Sequence, residues 1–152
     1  MNTPRQSVYT YNYPRPAVTV DALVPWKDPD GSTSFILLVK RAHPPCQGCW
    51  ALPGGFLEID EDLPDALRRE LKEETGIKAV RMHQLGTYGN PQRDPRGRVI
   101  SVVYRVSEYE ASACCAGDDA RALDWWPINR LPPLAFDHQR IVEDALSAEL
   151  SE

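Results

Sequence analysis

The sequence has 152 residues, of which 42% are hydrophobic and 26% are charged, and it carries a net charge of −5. This length fits one domain, the composition is globular, and the acidic balance argues against a general nucleic-acid binder, which needs a basic surface. No apolar run reaches the roughly 18 residues of a membrane-spanning helix, and the N-terminus lacks the apolar core of a secretory signal, so we expect a cytoplasmic protein.

The first third of the chain predicts an arm and two strands. Residues 1–15 form a leading arm or an edge strand, and residues 17–24 form a strand rich in β-branched side chains. Residues 27–34 predict a turn, 35–41 a strand apolar enough to be buried on both faces, and 42–55 a loop. Three tyrosines alternate in the arm, where they either stack on a nucleobase or pack against a second subunit: Tyr9, Tyr11 and Tyr13.

The four cysteines occur as two close pairs. Cys46 and Cys49 form a C-x-x-C pattern in the predicted loop, and Cys114 and Cys115 are adjacent. This arrangement is not a standard zinc spacing. We therefore expect four unlinked thiols in a reducing compartment, with a zinc or redox role as the alternative.

A central helix has clear signals at both ends. Asp62 can cap its start, Pro64 fits its first turn, and Gly76 fits a left-handed C-cap. Apolar residues recur between them at helical spacing and predict one buried stripe: Leu63, Ala66, Leu67 and Leu71.

Three glutamates line the edge of this helix beside the buried stripe. Glu70, Glu73 and Glu74 are related by three and four positions, a spacing at which like charges repel one another mildly. Local ion pairs with Lys72 or with the neighbouring Arg68 and Arg69 would make this edge an ordinary solvated acidic face. The alternative is a hard divalent cation such as Mg²⁺, which takes carboxylate oxygens as ligands.

The second half of the chain predicts three strands and a final helix. The strands cover residues 80–89, 99–106 and 122–128, and the helix covers 136–152 with Asp137 as its N-cap. Strands that flank a central helix, with a second helix at the end, indicate a mixed sheet covered by helices. No linker divides the sequence, so we predict one domain over residues 1–152.

Three side chains near the C-terminus are interpreted as packing residues. Trp125 and Trp126 should alternate, one into the core and one towards an interface. His138 opens the last helix, where a histidine more often caps or packs than catalyses.

The segment from Gly55 to Ile77 resembles the Nudix box, G-x5-E-x7-R-E-U-x-E-E-x-G-U, where U is a bulky aliphatic residue. Every fixed position of that pattern is matched: Gly55, Glu61, Arg69, Glu70, Leu71, Glu73, Glu74, Gly76 and Ile77. The resemblance implies an α/β fold, a Nudix-type α/β/α sandwich with a mixed β-sheet. It also implies metal-dependent hydrolysis of a nucleoside diphosphate that is linked to another group.

The resemblance also implies a role for individual residues. Glu70 and Glu74 would be the main Mg²⁺ ligands, with Mn²⁺ as a possible substitute, and Glu73 a third or water-bridged ligand. The carbonyl of Gly54 would be a further ligand, and one carboxylate of the set would serve as the base.

Arg69 would orient the glutamates, and Glu61 would support the loop before the helix. Gly54 and Gly55 would let the backbone approach metal and phosphates closely.

Segments outside the box resemble small microbial ADP-ribose pyrophosphatases, among them "WALPGGFLE" and "GNPQRDPRGRVISVVY". Three arginines of the second segment, Arg93, Arg96 and Arg98, would contact the diphosphate or the terminal ribose, or else form a solvated turn. Asp118 and Asp119 would supply a catalytic carboxylate from a late loop, or else solvate that loop. The resemblance further implies a homodimer that acts on a small nucleotide, without nucleic-acid or membrane partners.

Two other functions stay open at this stage. The first is Nudix hydrolysis of another substrate, such as a nucleotide sugar, a dinucleotide or a nucleoside triphosphate. The second is a non-catalytic ADP-ribose sensor that regulates transcription. Regulators of that kind carry a DNA-binding domain after the Nudix domain, whereas this sequence ends at Glu152, so we expect the enzyme.

Overall fold

The computed structural model describes residues 9–32, 34–111 and 122–149, which form eight strands and two helices. The first five strands are β1 (Ala17–Leu23), β2 (Pro25–Lys27), β3 (Ser34–Lys40), β4 (Trp50–Ala51) and β5 (Gly54–Phe56). Helix α1 (Leu63–Thr75) follows them. The remaining elements are β6 (Ile77–Tyr88), β7 (Val99–Ala111), β8 (Leu123–Pro127) and helix α2 (His138–Glu149). None of the helices in these ranges is long and apolar enough to cross a membrane.

The strands form two four-stranded sheets. The first has the order β5-β1-β7-β6 and is mixed, because β1 and β7 run parallel while the other neighbours are antiparallel. In the second sheet β3 pairs antiparallel with β2, β4 and β8. The predicted mixed α/β architecture is therefore confirmed.

Each helix covers its own hydrophobic core. Leu67 and Leu71 of α1 pack with Val20 and Val102 of the mixed sheet. On the other side, α2 packs with a second cluster of residues: Leu23, Ile36, Leu38, Leu52, Val103, Ile141, Val142 and Ala145. Neighbouring residues of one strand enter different cores, as Leu37 and Leu38 do, so β3 is buried on both faces as predicted. Burial of each such leucine contributes about 1.5–3 kcal/mol.

The ends of α1 match the sequence prediction. Asp62 caps the helix, with 2.8 Å between its Oδ1 and the amide nitrogen of Leu63, and Pro64 lies in the first turn. Gly76 ends it with a φ of 72°, and its N–H donates to the carbonyl of Lys72. A left-handed C-cap of this kind favours glycine, which has no Cβ to clash.

Several boundaries differ from the prediction. Strands β2, β4 and β5 are two or three residues long and lie wholly or partly in segments predicted as turn or loop. Strands β6 and β7 are longer than predicted, at 12 and 13 residues, because each pairs with the other over almost its full length. The described residues 9–16 belong to no strand, which favours an arm over an edge strand.

The two tryptophans of β8 alternate as predicted, but both pack inside the molecule. Trp125 contacts the core under α1 and Trp126 the core under α2. That one of them also faces an interface stays a prediction.

Candidate functional site

A cleft of about 530 Å³ is lined by strands β1 and β5, the end of β3 with the loop that follows it, and the edge of α1. The loop that precedes α2 also contributes to its lining. Strand β5 forms one wall because it pairs with β1 and sets Gly54 opposite Asp21 and Gly55 opposite Val20. This pairing holds the two glycines against α1. The side chains of Glu70 and Glu74 line the cleft from the helix.

The two glycines allow the carboxylates to approach the backbone. A Cβ at Gly55 would lie 2.4 Å from Oε1 of Glu70, and a Cβ at Gly54 would lie 2.1 Å from the carbonyl oxygen of Val20. The amide of Gly54 donates a hydrogen bond to Glu74, with 3.0 Å between N and Oε2. Both glycines thus lie where no side chain would fit, while the predicted approach of this backbone to metal and phosphates stays a prediction.

Arg69 joins the preceding loop to the helix. Its guanidinium donates to both carboxylate oxygens of Glu61, at 2.5 and 3.0 Å, and to the carbonyl of Phe56 at 3.1 Å. It also donates to Oε1 of Glu70 at 2.7 Å. The hydrogen bonds to Glu61 and Glu70 raise the pKa of Arg69, and the hydrogen bond from Arg69 lowers that of Glu61. This geometry suits the orienting role predicted for Arg69 and the supporting role predicted for Glu61.

Glu73 is more exposed than the other two glutamates. Its side chain is 61% exposed, is absent from the cleft lining, and forms an ion pair with Arg69 at 3.5 Å. The structure therefore brings Glu70, Glu74 and Gly54 of the predicted metal site together at the cleft, and the role of Glu73 as a third or water-bridged ligand stays a prediction.

The donor set at the glycine wall fits a hard divalent cation. Within residues 9–32, 34–111 and 122–149, no three His, Cys, Asp or Glu side chains cluster as a complete metal-binding group. Mg²⁺ does not require such a group, since it commonly binds one or two carboxylates and completes its octahedron with water and substrate phosphate. Glu70 and Glu74, on neighbouring turns beside the cradle of Gly54 and Gly55, supply those carboxylates.

The three predicted substrate arginines have different surroundings. Arg93 is buried and pairs with Asp137, at 3.0 Å from Nε and 2.7 Å from Nη2. Arg96 pairs with Asp94 while its side chain stays 39% exposed. Both line the cleft. Arg98 does not line it; its guanidinium donates to the carbonyl of Gly89.

Arg96 is held in place by charge and by aromatic contacts. Burial acts to raise the pKa of Asp94, but the side-chain and backbone hydrogen bonds from Arg96 outweigh it and leave that pKa below its ordinary value. The guanidinium carbon of Arg96 lies 5.0 Å from the ring centre of Phe56 and 5.4 Å from that of Phe136. Nε and Nη2 donate to Asp94, so an anion would be bound through Nη1 of this partly exposed guanidinium.

Phe136 and Arg41 are site residues that sequence reasoning missed. Arg41 lies 4.8 Å from the ring centre of Phe136, so this ring contacts two guanidinium groups, those of Arg41 and Arg96. Phe136 has a φ of 55°, a strained conformation for a side chain of this size, and such residues concentrate at functional sites. Burial and the nearby charge of Arg96 both lower the pKa of Arg41. The sequence carried no signal for the strained backbone.

The floor of the cleft holds a buried chain of polar groups. The amide of Leu52 donates to Nδ1 of His138 at 3.0 Å, so the proton of the neutral imidazole is on Nε2, which lies 3.6 Å from Asp21. The hydroxyl of Ser101 donates to the other oxygen of Asp21. Burial lowers the pKa of His138 and outweighs the attraction of Asp21 for its proton. His138 is thus a packing residue, as predicted, and it fixes the segment that leads to Gly54.

Two predicted catalytic residues, Asp118 and Asp119, lie outside the described residues, as do Cys114 and Cys115. Their roles stay predictions.

Comparison with known proteins identifies relatives over most of the chain. A family model for the NUDIX domain matches residues 16–145. An ADP-ribose pyrophosphatase of Methanocaldococcus jannaschii is 46% identical over 132 residues, which cover 87% of this chain and 74% of that protein. The ADPR responsive transcriptional repressor NtrR of Acinetobacter baylyi is 32% identical over 149 residues, and this chain covers only 55% of its length.

Among solved structures, the NUDIX domain of Shewanella oneidensis NrtR in complex with ADP ribose superimposes with a TM-score of 0.77. That structure is 33% identical to this chain, and the match covers 90% of each chain.

Proposed function

The chain belongs to the Nudix family of pyrophosphohydrolases, and on that premise we propose that it hydrolyses the pyrophosphate bond of ADP-ribose or a close relative. The predicted reaction is ADP-ribose plus water to AMP plus ribose 5-phosphate. The ADP-ribose pyrophosphatase of M. jannaschii and the ADP-ribose complex of the S. oneidensis domain support this choice of substrate.

One observation carries the proposal: a single cleft joins an acidic helix edge to a cluster of arginines. Glu70 and Glu74 line one side, while Arg41, Arg93 and Arg96 line the other. A diphosphate with a sugar on each side carries negative charge at its centre, so it needs cations or hydrogen-bond donors around that centre. A cleft with both kinds of wall can hold such a substrate and place its scissile bond beside the glutamates.

The chain's own residues contribute position and charge. The cradle of Gly54 and Gly55 and the hydrogen bonds from Arg69 fix the carboxylates, as their distances indicate. When bound, Mg²⁺ would neutralise the phosphate oxygens and lower the pKa of water. Mn²⁺ is a possible substitute.

The base that accepts the proton of the attacking water would be a carboxylate. Glu74 is the glutamate of the cleft that already accepts a hydrogen bond from Gly54. Glu73, Asp118 and Asp119 remain predicted alternatives.

Arg93 and Arg96 are the proposed substrate contacts among the loop arginines. Arg93 donates through Nε and Nη2 to Asp137, and Arg96 donates through the same two nitrogens to Asp94. Each would therefore meet the substrate through its remaining nitrogen, Nη1. Arg98 does not line the cleft, so its predicted contact with the substrate would have to be made outside the cleft lining.

The test is a substrate panel read by product identity. ADP-ribose, a nucleotide sugar, a dinucleotide and a nucleoside triphosphate are each incubated with the protein and Mg²⁺, and then with Mn²⁺. Release of AMP and ribose 5-phosphate from ADP-ribose would support the proposal. Release of pyrophosphate from the triphosphate would instead indicate a Nudix hydrolase that acts on nucleoside triphosphates. A protein that hydrolyses none of the nucleoside diphosphate derivatives would overturn it.

A second candidate is ADP-ribose binding without hydrolysis, which is favoured by the similarity to the repressor of A. baylyi. Calorimetric binding of ADP-ribose together with no AMP release over prolonged incubation with Mg²⁺ would select this candidate.

Location and assembly complete the proposal. A cytoplasmic location agrees with the two described cysteines, Cys46 and Cys49, which are free thiols. A homodimer is supported by exposed aromatic side chains on the arm, Tyr9, Tyr11 and Tyr13, which could pack against a second subunit. Sedimentation at two protein concentrations tests the dimer.

A further inference from the structure

A pair of cysteines lies on the rim of the cleft, in the loop between β3 and β4. Cys46 is exposed, Cys49 is half-buried, and both are free thiols. The same loop contributes the cleft-lining residues 42–44. No step of the proposed hydrolysis uses either thiol.

The backbone brings the two cysteines to disulfide distance. The amide of Cys49 donates to the carbonyl of Cys46 at 3.0 Å, and residues 46–49 form a β-turn. The first and fourth Cα atoms of a β-turn lie within about 7 Å, and a disulfide spans Cα distances of roughly 4.4–6.8 Å. The neighbouring thiol of Cys46 also contributes to the raised pKa of Cys49, as expected for two side chains on one turn.

We propose that Cys46 and Cys49 form a reversible dithiol–disulfide site whose electron acceptor is a small-molecule disulfide. This inference goes beyond the proposed hydrolysis and does not depend on it. The site differs from a lone surface thiol because a second thiol lies across the same β-turn, where it can displace the first adduct.

The two thiols have different roles in the exchange. Cys46 is the accessible one, so its thiolate attacks a sulfur of the small disulfide, and one small thiol leaves. Cys49 then attacks the sulfur of Cys46 and releases the second small thiol. The protein loses two electrons and two protons, and the small disulfide gains them as two thiols.

The surroundings agree with this order. Burial and the neighbouring thiol raise the pKa of Cys49, which disfavours it as the first attacker. The positive charge of Arg41 acts in the opposite direction on Cys49 but is outweighed by burial and the neighbouring thiol.

Closure of the disulfide would restrain the cleft rim. The amide of Arg41 donates to the carbonyl of Cys49 at 2.8 Å, and the amide of Gly48 donates to the carbonyl of Arg41 at 2.9 Å. Nε of Arg41 donates to the carbonyl of Pro45, also at 2.8 Å. A covalent link between Cys46 and Cys49 would hold the β-turn in this loop closed. The hydrogen bonds of residues 41–49 should therefore break less often in the oxidised protein.

The experiment uses the full chain with Cys114→Ser and Cys115→Ser, which leaves only the rim pair. The protein is equilibrated with mixtures of oxidised and reduced glutathione, quenched with acid and mapped by mass spectrometry. We expect a product lighter by two hydrogen atoms, with a link between Cys46 and Cys49 that dithiothreitol reverses. Glutathione adducts without the link, or unmodified thiols at every ratio, would overturn the proposal.

Matched variants complete the test. In the same background, Cys46→Ser or Cys49→Ser should each retain one glutathione in place of the link. Hydrogen exchange of residues 41–49 should be slower in the oxidised protein than in the reduced protein. Equal exchange rates in the two forms would contradict the restraint of the cleft rim.

Discussion

The backbone amide of Gly54 donates a hydrogen bond to Oε2 of Glu74, across 3.0 Å and from a different element of the fold. Strand β5 thus positions a carboxylate of α1 directly, rather than through an intervening side chain. Because glutamine keeps a carbonyl oxygen at this position but loses the charge, the structural and chemical roles of Glu74 can be separated.

We expect Glu74→Gln to keep the fold and to lose activity. The amide oxygen can still accept from Gly54, so the free energy of unfolding should stay within about 1 kcal/mol of the original. The lost charge should weaken metal binding and lower kcat by about a hundred-fold or more. Because each tenfold loss is about 1.4 kcal/mol, this corresponds to at least about 2.8 kcal/mol of activation free energy. Urea unfolding and steady-state kinetics with ADP-ribose measure the two effects.

Glu73→Gln is the matched comparison for this variant. Its carboxylate is exposed and outside the cleft lining, so the loss of kcat should be smaller than for Glu74→Gln. Equal losses for the two variants would mean that Glu73 joins the metal site, as the sequence predicted.

Gly55→Ala should displace the carboxylate of Glu70. A Cβ at this position would lie 2.4 Å from two atoms of that carboxyl group, so Glu70 must move away from its place beside Arg69. We expect kcat to fall about ten-fold or more, because a misplaced ligand disturbs the geometry of the reacting groups. Gly86→Ala is the control, since its nearest contact would be an ordinary 3.7 Å. Equal kinetics for both alanine variants would contradict the cradle.

Arg69→Lys should lower activity more than Arg68→Lys. Lysine cannot reproduce the paired hydrogen bonds that Arg69 makes to Glu61, nor its simultaneous bond to Glu70. Loss of a group that orients a metal ligand typically costs about 10–100-fold in activity or metal affinity. The ion pair that Arg68 makes within the described part of the chain is with exposed Asp65, so its variant should keep nearly full activity. Kinetics over a range of Mg²⁺ concentrations distinguishes weaker metal binding from a lower maximal rate.

The helix and its carboxylates could be predicted because their signals are local. Asp62, Pro64 and Gly76 act on their own turns, and the spacing of Glu70 and Glu74 places both on one edge. The position of Gly54 and Gly55 opposite this edge depends on the pairing of β5 with β1, which is set by tertiary contacts. A strand of only three residues carries too short a pattern to be distinguished from a loop.

The different environments of the three arginines in residues 93–98 could not be predicted from the sequence. Arg93, Arg96 and Arg98 look equivalent in the sequence, yet their acceptors are Asp137, Asp94 and the carbonyl of Gly89. Only the partner of Arg96 is a near neighbour in sequence; Asp137 lies 44 residues from Arg93. The same applies to His138 and Leu52, whose hydrogen bond spans 86 residues. Contacts at such separations have no periodic signature.

The bond between Leu52 and His138 predicts a pH dependence of stability. In the folded protein, burial lowers the pKa of His138 from its ordinary value of 6.5, so the imidazole stays neutral and accepts from Leu52. The unfolded chain regains the ordinary pKa and binds a proton as the pH falls below about 6.5, when the folded protein does not. The free energy of unfolding should therefore fall between about pH 7 and pH 5, by at most about 1.4 kcal/mol per pH unit for one proton. Urea unfolding at several pH values measures this slope.

Two variants assign that slope to His138. His138→Gln keeps an acceptor for the amide of Leu52 but cannot titrate, so the slope between pH 7 and pH 5 should flatten. His43→Gln, at an exposed position, should keep the slope of the original protein. The carboxylates with lowered pKa values, Asp30, Glu61 and Asp94, contribute mainly below their ordinary values of 3.8, 4.5 and 3.8, outside this window. If His138→Gln retained the full slope, another group would have to bind the proton on unfolding.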